Sequence, residues 1–107
     1  MRIHIYGERD YAYGQAMVTL RTAIGLTQVE LAQVLGVSRG AVLGWEGGIN
    51  YPKAISLKRF IALCVQQQAF AAGREEEEIR ALWHAAHQKV LLFSFAAAGS
   101  ESKRKDI

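Results

Sequence analysis

The chain has 107 residues, 50% of them apolar, with 13 Lys and Arg against 10 Asp and Glu, which supports one compact core and excludes a disordered tail. Its longest nearly apolar run, residues 90–98, is interrupted by Ser94 and is far shorter than the roughly twenty residues a bilayer-crossing helix needs, so no membrane partner is expected. The net charge of +3 is lodged in residues 1–59, because the remainder carries equal numbers of basic and acidic side chains; an anion-binding surface is therefore expected in the first half.

The opening "MRIHIYGERDYAYGQ" lacks the basic start, apolar middle and small-residue cleavage site of a secretory signal, and the expectation is a cytoplasmic protein. Only "IHIY" alternates like a strand, and four residues make a poor one. The rest reads as helix. Tyr13, Met17, Leu20 and Ile24 recur on one helical face, which predicts a first helix from Tyr11 to Ile24, capped by Asp10 and stopped by Gly25. In "LTQVEL", Thr27 and Glu30 have the spacing of a capping box, flanked by Leu26 and Leu31 as a hydrophobic staple, so a second helix runs from Gln28 to about Leu35. Ser38 repeats the cap, with Val37 and Val42 as staple, and predicts a third helix from Arg39 to Trp45.

A fourth helix, about Ala54 to Phe70, follows the turn "GGINYPKA" and offers Leu57, Phe60, Ile61, Cys64 and Val65 as its buried stripe. Cys64 is the one cysteine and reads as packing, which rules out an intrachain disulfide or a cysteine metal cluster. A fifth helix starts near Arg74 and lines up Ile79, Leu82, Trp83, Ala86, Val90 and Phe93. Its "EEEE" sets four carboxylates against the positive end of the helix dipole and reads as a solvated helix start.

From Gln28 to Trp45 two short helices share Leu31, Leu35, Val37, Val42 and Trp45, with Ala32 small where the third helix presses closest. Gly36 allows the left-handed turn between them, and Gly47 and Gly48 are expected to allow the same at the C-terminal cap. With "LRTAIGLTQVELAQVLGVSRGAVLGWEGG" and "YPKAISLKRFIAL", residues 20–65 resemble the helix-turn-helix of the Cro and lambda-repressor-like, XRE-type bacterial regulators. More narrowly, "ERDYAYGQAMVTLRTAIGLTQ" and "GREEEEIRALWHAAHQKVLL" resemble the N-terminal module of multidomain bacterial regulators in which such a motif precedes a nucleotide-hydrolysing domain.

The resemblance implies an all-α, five-helix, lambda-repressor-like fold: an N-terminal segment 1–10, a helix-turn-helix domain 11–71 with its motif at 28–45, a C-terminal helix 72–93 and a tail 94–107. It implies duplex DNA binding and transcriptional regulation, with the third helix in the major groove. The sequence carries no phosphate loop, serine elbow or carboxylate pair with a plausible cleft, so neither catalysis nor a cofactor is expected. Gln28 matches the family residue that holds a phosphate from a helix N-terminus. Ser38 matches a cap that also touches phosphate. Arg39 stands at the first base-reading position, open to guanine O6 and N7 or to a phosphate. Lys53 and Lys58 match flanking backbone contacts. Arg21 and Glu46 match a partly buried ion pair joining the first helix to the end of the third.

Gly40 and Gly44 depart from the family, which usually carries long polar side chains there, and Leu43 between them is apolar. Either the backbone approaches DNA closely, with Leu43 on a thymine methyl, or base readout is relaxed and phosphate contacts dominate. Each interior glycine weakens a helix by about 1 kcal/mol relative to alanine, with no packing return evident in the sequence. His84 and His87 are three apart without a third ligand, so no metal is expected. Lys103, Arg104 and Lys105 read as a basic tail or a solvated terminus. A homodimer is expected, with Trp83 and Phe93 of the C-terminal helix as the candidate pairing surface; the alternative is that this stripe covers the domain's own core. The competing reading is a protein-interaction module, or the detached N-terminal module of a multidomain regulator.

Overall fold

The structure, a computed structural model, describes residues 9–97, with side chains as far as His87 at the C-terminal end. The "IHIY" stretch, the side chains of Val90 and Phe93 and the basic tail at 103–105 lie outside the described residues. Five helices are present: α1 (Tyr11–Ala23), α2 (Gln28–Leu35), α3 (Arg39–Glu46), α4 (Ala54–Gln66) and α5 (Glu75–Ala97). No strand occurs among the described residues. None of the described helices is long and apolar enough to cross a membrane.

Three helix starts are fixed by the side chains that their sequences supply. Asp10 Oδ1 accepts from the Tyr13 backbone N–H at 3.0 Å. Thr27 Oγ1 accepts from Glu30 N at 3.1 Å, and Glu30 Oε1 accepts from Thr27 N at 2.9 Å, closing the capping box. Ser38 Oγ accepts from Ala41 N at 3.0 Å. Each bond satisfies a donor that has no partner within its own helix, worth about 1 kcal/mol.

The ends of α2, α3 and α4 share one device, a residue in the left-handed region followed by a backbone N–H that reaches back five residues. Gly36 has φ 72° after α2, and Val37 N donates to Ala32 O at 2.9 Å. Gly48 has φ 72° after α3, and Ile49 N donates to Gly44 O at 2.9 Å. Gly47 does not share the positive φ expected of it; at −82° it is an ordinary helical cap residue. Gln68, with φ 56°, plays the part after α4: Gln68 N donates to Val65 O at 3.1 Å and Ala69 N to Cys64 O at 2.9 Å. That closure ends α4 at Gln66 rather than at Phe70, and Phe70 folds back to be buried from the link.

Packing gathers Tyr13, Met17 and Leu20 of α1, Leu31, Ala32 and Leu35 of α2, Val42 and Trp45 of α3, and Phe60 and Cys64 of α4 into one buried cluster. Phe70 and Leu82 complete it. Side chains of this size contribute about 1.5–3 kcal/mol each when fully buried. Val65 is not part of the α4 stripe: it is 51% exposed. On α5, Leu82 and Ala86 are buried while Trp83 is half-buried, its ring 4.2 Å from that of His87. The helix begins at Glu75 and runs to Ala97, beyond residue 93 where its pattern stops being legible.

Two glycines let α1 lie directly on the end of α3. A Cβ on Gly14 would press into the Glu46 carbonyl, and one on Gly48 would sit 2.5 Å from the Asp10 carbonyl oxygen. Asp10 N donates to Gly48 O at 2.8 Å across the same junction. The orientation of α3 is thus set from beneath by backbone-to-backbone contact.

Candidate nucleic-acid interface

Helix α3 divides cleanly into two sides. Val42 and Trp45 face the core and are buried, while Arg39, Gly40 and Leu43 are exposed, Leu43 at 43%. Because α2 and α3 are separated only by Gly36, Val37 and Ser38, the N-terminus of α2 is held beside the N-terminal edge of α3. This is the helix-turn-helix arrangement, in which one helix is offered to solvent on the platform of the other.

A chain of polar contacts ties that edge together. Arg21 of α1 donates twice to Glu46 of α3, Nε to Oε2 at 2.5 Å and Nη2 to Oε1 at 3.2 Å. Arg21 Nη1 also donates to Leu26 O at 2.9 Å. Gln28 Nε2 donates to Glu46 Oε1 at 2.9 Å, and Arg39 Nη2 lies 3.5 Å from Gln28 Oε1, the outer limit of a hydrogen bond. The sequence-predicted ion pair and two of the predicted contact residues therefore form one network, with its buried end at Glu46, 5% exposed, and its open end at Arg39. Gln28 is held toward Glu46, so its amide is not free, and the first backbone N–H groups of α2 have no partner within the helix.

Ser38 is exposed and its hydroxyl is engaged by the Ala41 N–H. Lys53 precedes α4 without a side-chain cap bond, and Lys58 is exposed on the next turn. Gly40 is open: a Cβ there would meet only Ser38 Oγ, at 3.7 Å. Gly44 is a correction to the sequence reading, because its missing side chain does have a packing return. A Cβ at Gly44 would lie 2.7 Å from Asn50 Oδ1, so the Asn50 side chain occupies the space that a longer residue would fill. Gly44 is accordingly half-covered rather than fully outward.

Asn50, Arg59 and Tyr51 were not singled out from sequence. Arg59 Nη1 donates to Leu35 O at 3.3 Å, placing a cation on the carbonyl end of α2 where the dipole favours it. Tyr51 OH donates to Asp10 Oδ2 at 2.5 Å and its ring meets Tyr13 edge-on at 4.8 Å. Gly14, an isolated glycine inside a helical pattern, carried a readable signal of close backbone approach. Asn50 and Arg59 carried none.

Residues 19–64 match the model of a helix-turn-helix family, from the second half of α1 to near the end of α4. A curated relative, the HTH-type transcriptional activator BcrR of Enterococcus faecalis, is 46% identical over 46 residues, which are 43% of this chain and 22% of the relative. The matched stretch thus spans about a fifth of the length of that relative. No solved structure matches the chain.

Proposed function

We propose that the helix-turn-helix at residues 19–64 binds duplex DNA with α3 in the major groove, and that the chain regulates transcription. The observation that carries this reading is the outward edge of α3: Arg39, Gly40 and Leu43 stand free on one side while Val42 and Trp45 anchor the other. The start of α2 lies beside it, so its N–H groups and Arg39 meet a duplex together. The similarity to a transcriptional activator over 46 residues supports the reading.

Arg39 is the one long side chain on that edge able to reach a base, where a bidentate contact to guanine is worth roughly 1–3 kcal/mol of discrimination. Lys53 and Lys58 take flanking phosphates. With Gly40 bare and Gly44 covered by Asn50, base readout is narrow and the phosphate contacts carry most of the affinity. A single unit of this kind contacts few base pairs, so two copies act together on half-sites about 34 Å apart, paired through α5. The chain acts by binding without catalysis, and works beside the DNA in the cytoplasm.

The test is a fluorescence anisotropy titration of the full chain on a mixed-sequence duplex as salt is raised. Log affinity is expected to fall against log salt at about −0.9 per neutralised phosphate. Arg39→Ala and Lys53→Ala are expected to weaken binding, Lys53→Ala reducing the slope by about one phosphate. Absence of binding at every salt concentration overturns the reading in favour of a protein-interaction module.

A further inference from the structure

We infer that Asn50, in the loop after α3, reads an adenine of the duplex in place of the side chain that Gly44 lacks; the inference rests on the duplex-binding reading of α3. Helical spacing sets Gly40, Leu43 and Gly44 on the arc opposite the buried Val42 and Trp45, so the outward side of α3 carries two bare α-carbons and one apolar side chain. Asn50 is exposed, and its carboxamide lies against the second of those carbons. A Cβ on Gly44 would stand 2.7 Å from Asn50 Oδ1 and 3.4 Å from both Cγ and Nδ2. The carboxamide thus occupies the place from which a longer side chain at position 44 would leave the helix.

The loop holds it there from both sides. Gly48, with φ 72°, reverses the chain, and Ile49 N and Asn50 N both donate to Gly44 O, at 2.9 Å and 3.4 Å. On the other side, the Tyr51 hydroxyl donates to Asp10 Oδ2 at 2.5 Å and its ring meets Tyr13 edge-on. A side chain fixed between anchored neighbours loses less freedom when it meets a base. Among the described residues the Asn50 carboxamide has no hydrogen-bond partner, so its acceptor and its donors are all open. In the major groove, adenine alone presents an acceptor and a donor side by side, at N7 and N6, which is the complement of a carboxamide. A phosphate would use only the donors. Leu43, 43% exposed on the same arc, suits a thymine methyl, so the pair read is A·T.

The test selects bound duplexes from a random library with the full chain, then measures anisotropy on the selected duplex. The wild type is expected to enrich an adenine at one position of the site. Asn50→Ala is expected to lose that preference while keeping the others, and Gly44→Ala, whose methyl crowds the carboxamide, to blunt it. Replacing the selected adenine by 7-deazaadenine removes the N7 acceptor and is expected to weaken the wild type about tenfold and Asn50→Ala no further. An adenine preference unchanged in both variants overturns the proposal. So does equal sensitivity of wild type and Asn50→Ala to 7-deazaadenine, or a uniform weakening of all sequences in Asn50→Ala, which would mark a phosphate contact. Each of these leaves duplex binding intact, whereas failure to retain any duplex at any salt concentration overturns the proposal together with the reading of α3 on which it rests.

Discussion

Arg21 grips Glu46 with two donors, at 2.5 Å and 3.2 Å, and the same carboxylate takes a third hydrogen bond from Gln28, so one side chain at the end of α3 joins α1, α2 and α3. The Arg21 and Glu46 side chains are 17% and 5% exposed. Removing one partner would leave the other charged and largely out of water. Arg21→Ala or Glu46→Ala is expected to destabilise the fold by about 3–5 kcal/mol, whereas the paired replacement Arg21→Met with Glu46→Leu recovers most of that loss. Urea unfolding of the three variants checks it, and equal losses in the single and paired variants would refute it.

The same substitution is expected to act differently at three glycines of regular helix. Gly40→Ala meets open space, 3.7 Å from Ser38 Oγ, and gains helix propensity, so stability rises by about 1 kcal/mol. Gly44→Ala gains less, because Asn50 must swing aside from a contact of 2.7 Å. Gly14→Ala drives a methyl into the Glu46 backbone carbonyl, which cannot yield without moving α3, and is expected to destabilise by about 1–3 kcal/mol. Thermal midpoints in the order Gly40→Ala, Gly44→Ala, wild type, Gly14→Ala are the check.

Gln68 sits at φ 56°, where a side chain is strained by about 1–2 kcal/mol and glycine is not. Gln68→Gly also loosens the unfolded chain, which takes back about 0.4–1 kcal/mol. The net expectation is a gain of about 0.5–1 kcal/mol in urea unfolding. A loss would mean that the Gln68 side chain contributes contacts that outweigh its strain.

Tyr51 donates to Asp10 at 2.5 Å, and burial, that bond and the Asp10 charge push its pKa up from 10.0 to about 12. A folded-state pKa above the unfolded one means that the fold favours the protonated phenol. The contribution is therefore complete below about pH 10 and is lost as pH rises toward 12. The thermal midpoint of the wild type is expected to fall more steeply over that window than that of Tyr51→Phe, which has no phenol to ionise at this position. Parallel curves would remove Tyr51 from the account.

Much of the fold was legible because its determinants are local. Thr27 and Glu30, or Ser38 and Ala41, lie three residues apart, so a helix start brings them together whatever the rest of the chain does. Gly36 announced the turn for the same reason. The end of α4 was misplaced because its closing residue is Gln68, which has none of glycine's permissiveness and so leaves no mark in the sequence. Val65 was assigned to the core because periodicity identifies a face without saying how wide the covered part is.

By itself, then, the sequence determined the helices, most of their caps and the turn between the second and third, since these follow from spacings within one or two helical turns. Only the tertiary structure decided that Gln28 spends its amide on Glu46, that Asn50 covers Gly44, that Arg59 closes the end of α2, and that a cavity opens between α1 and α5. Those contacts join residues distant along the chain, or depend on the path of a loop. Their geometry exists only after the helices have packed, because packing fixes relative positions that no local spacing encodes.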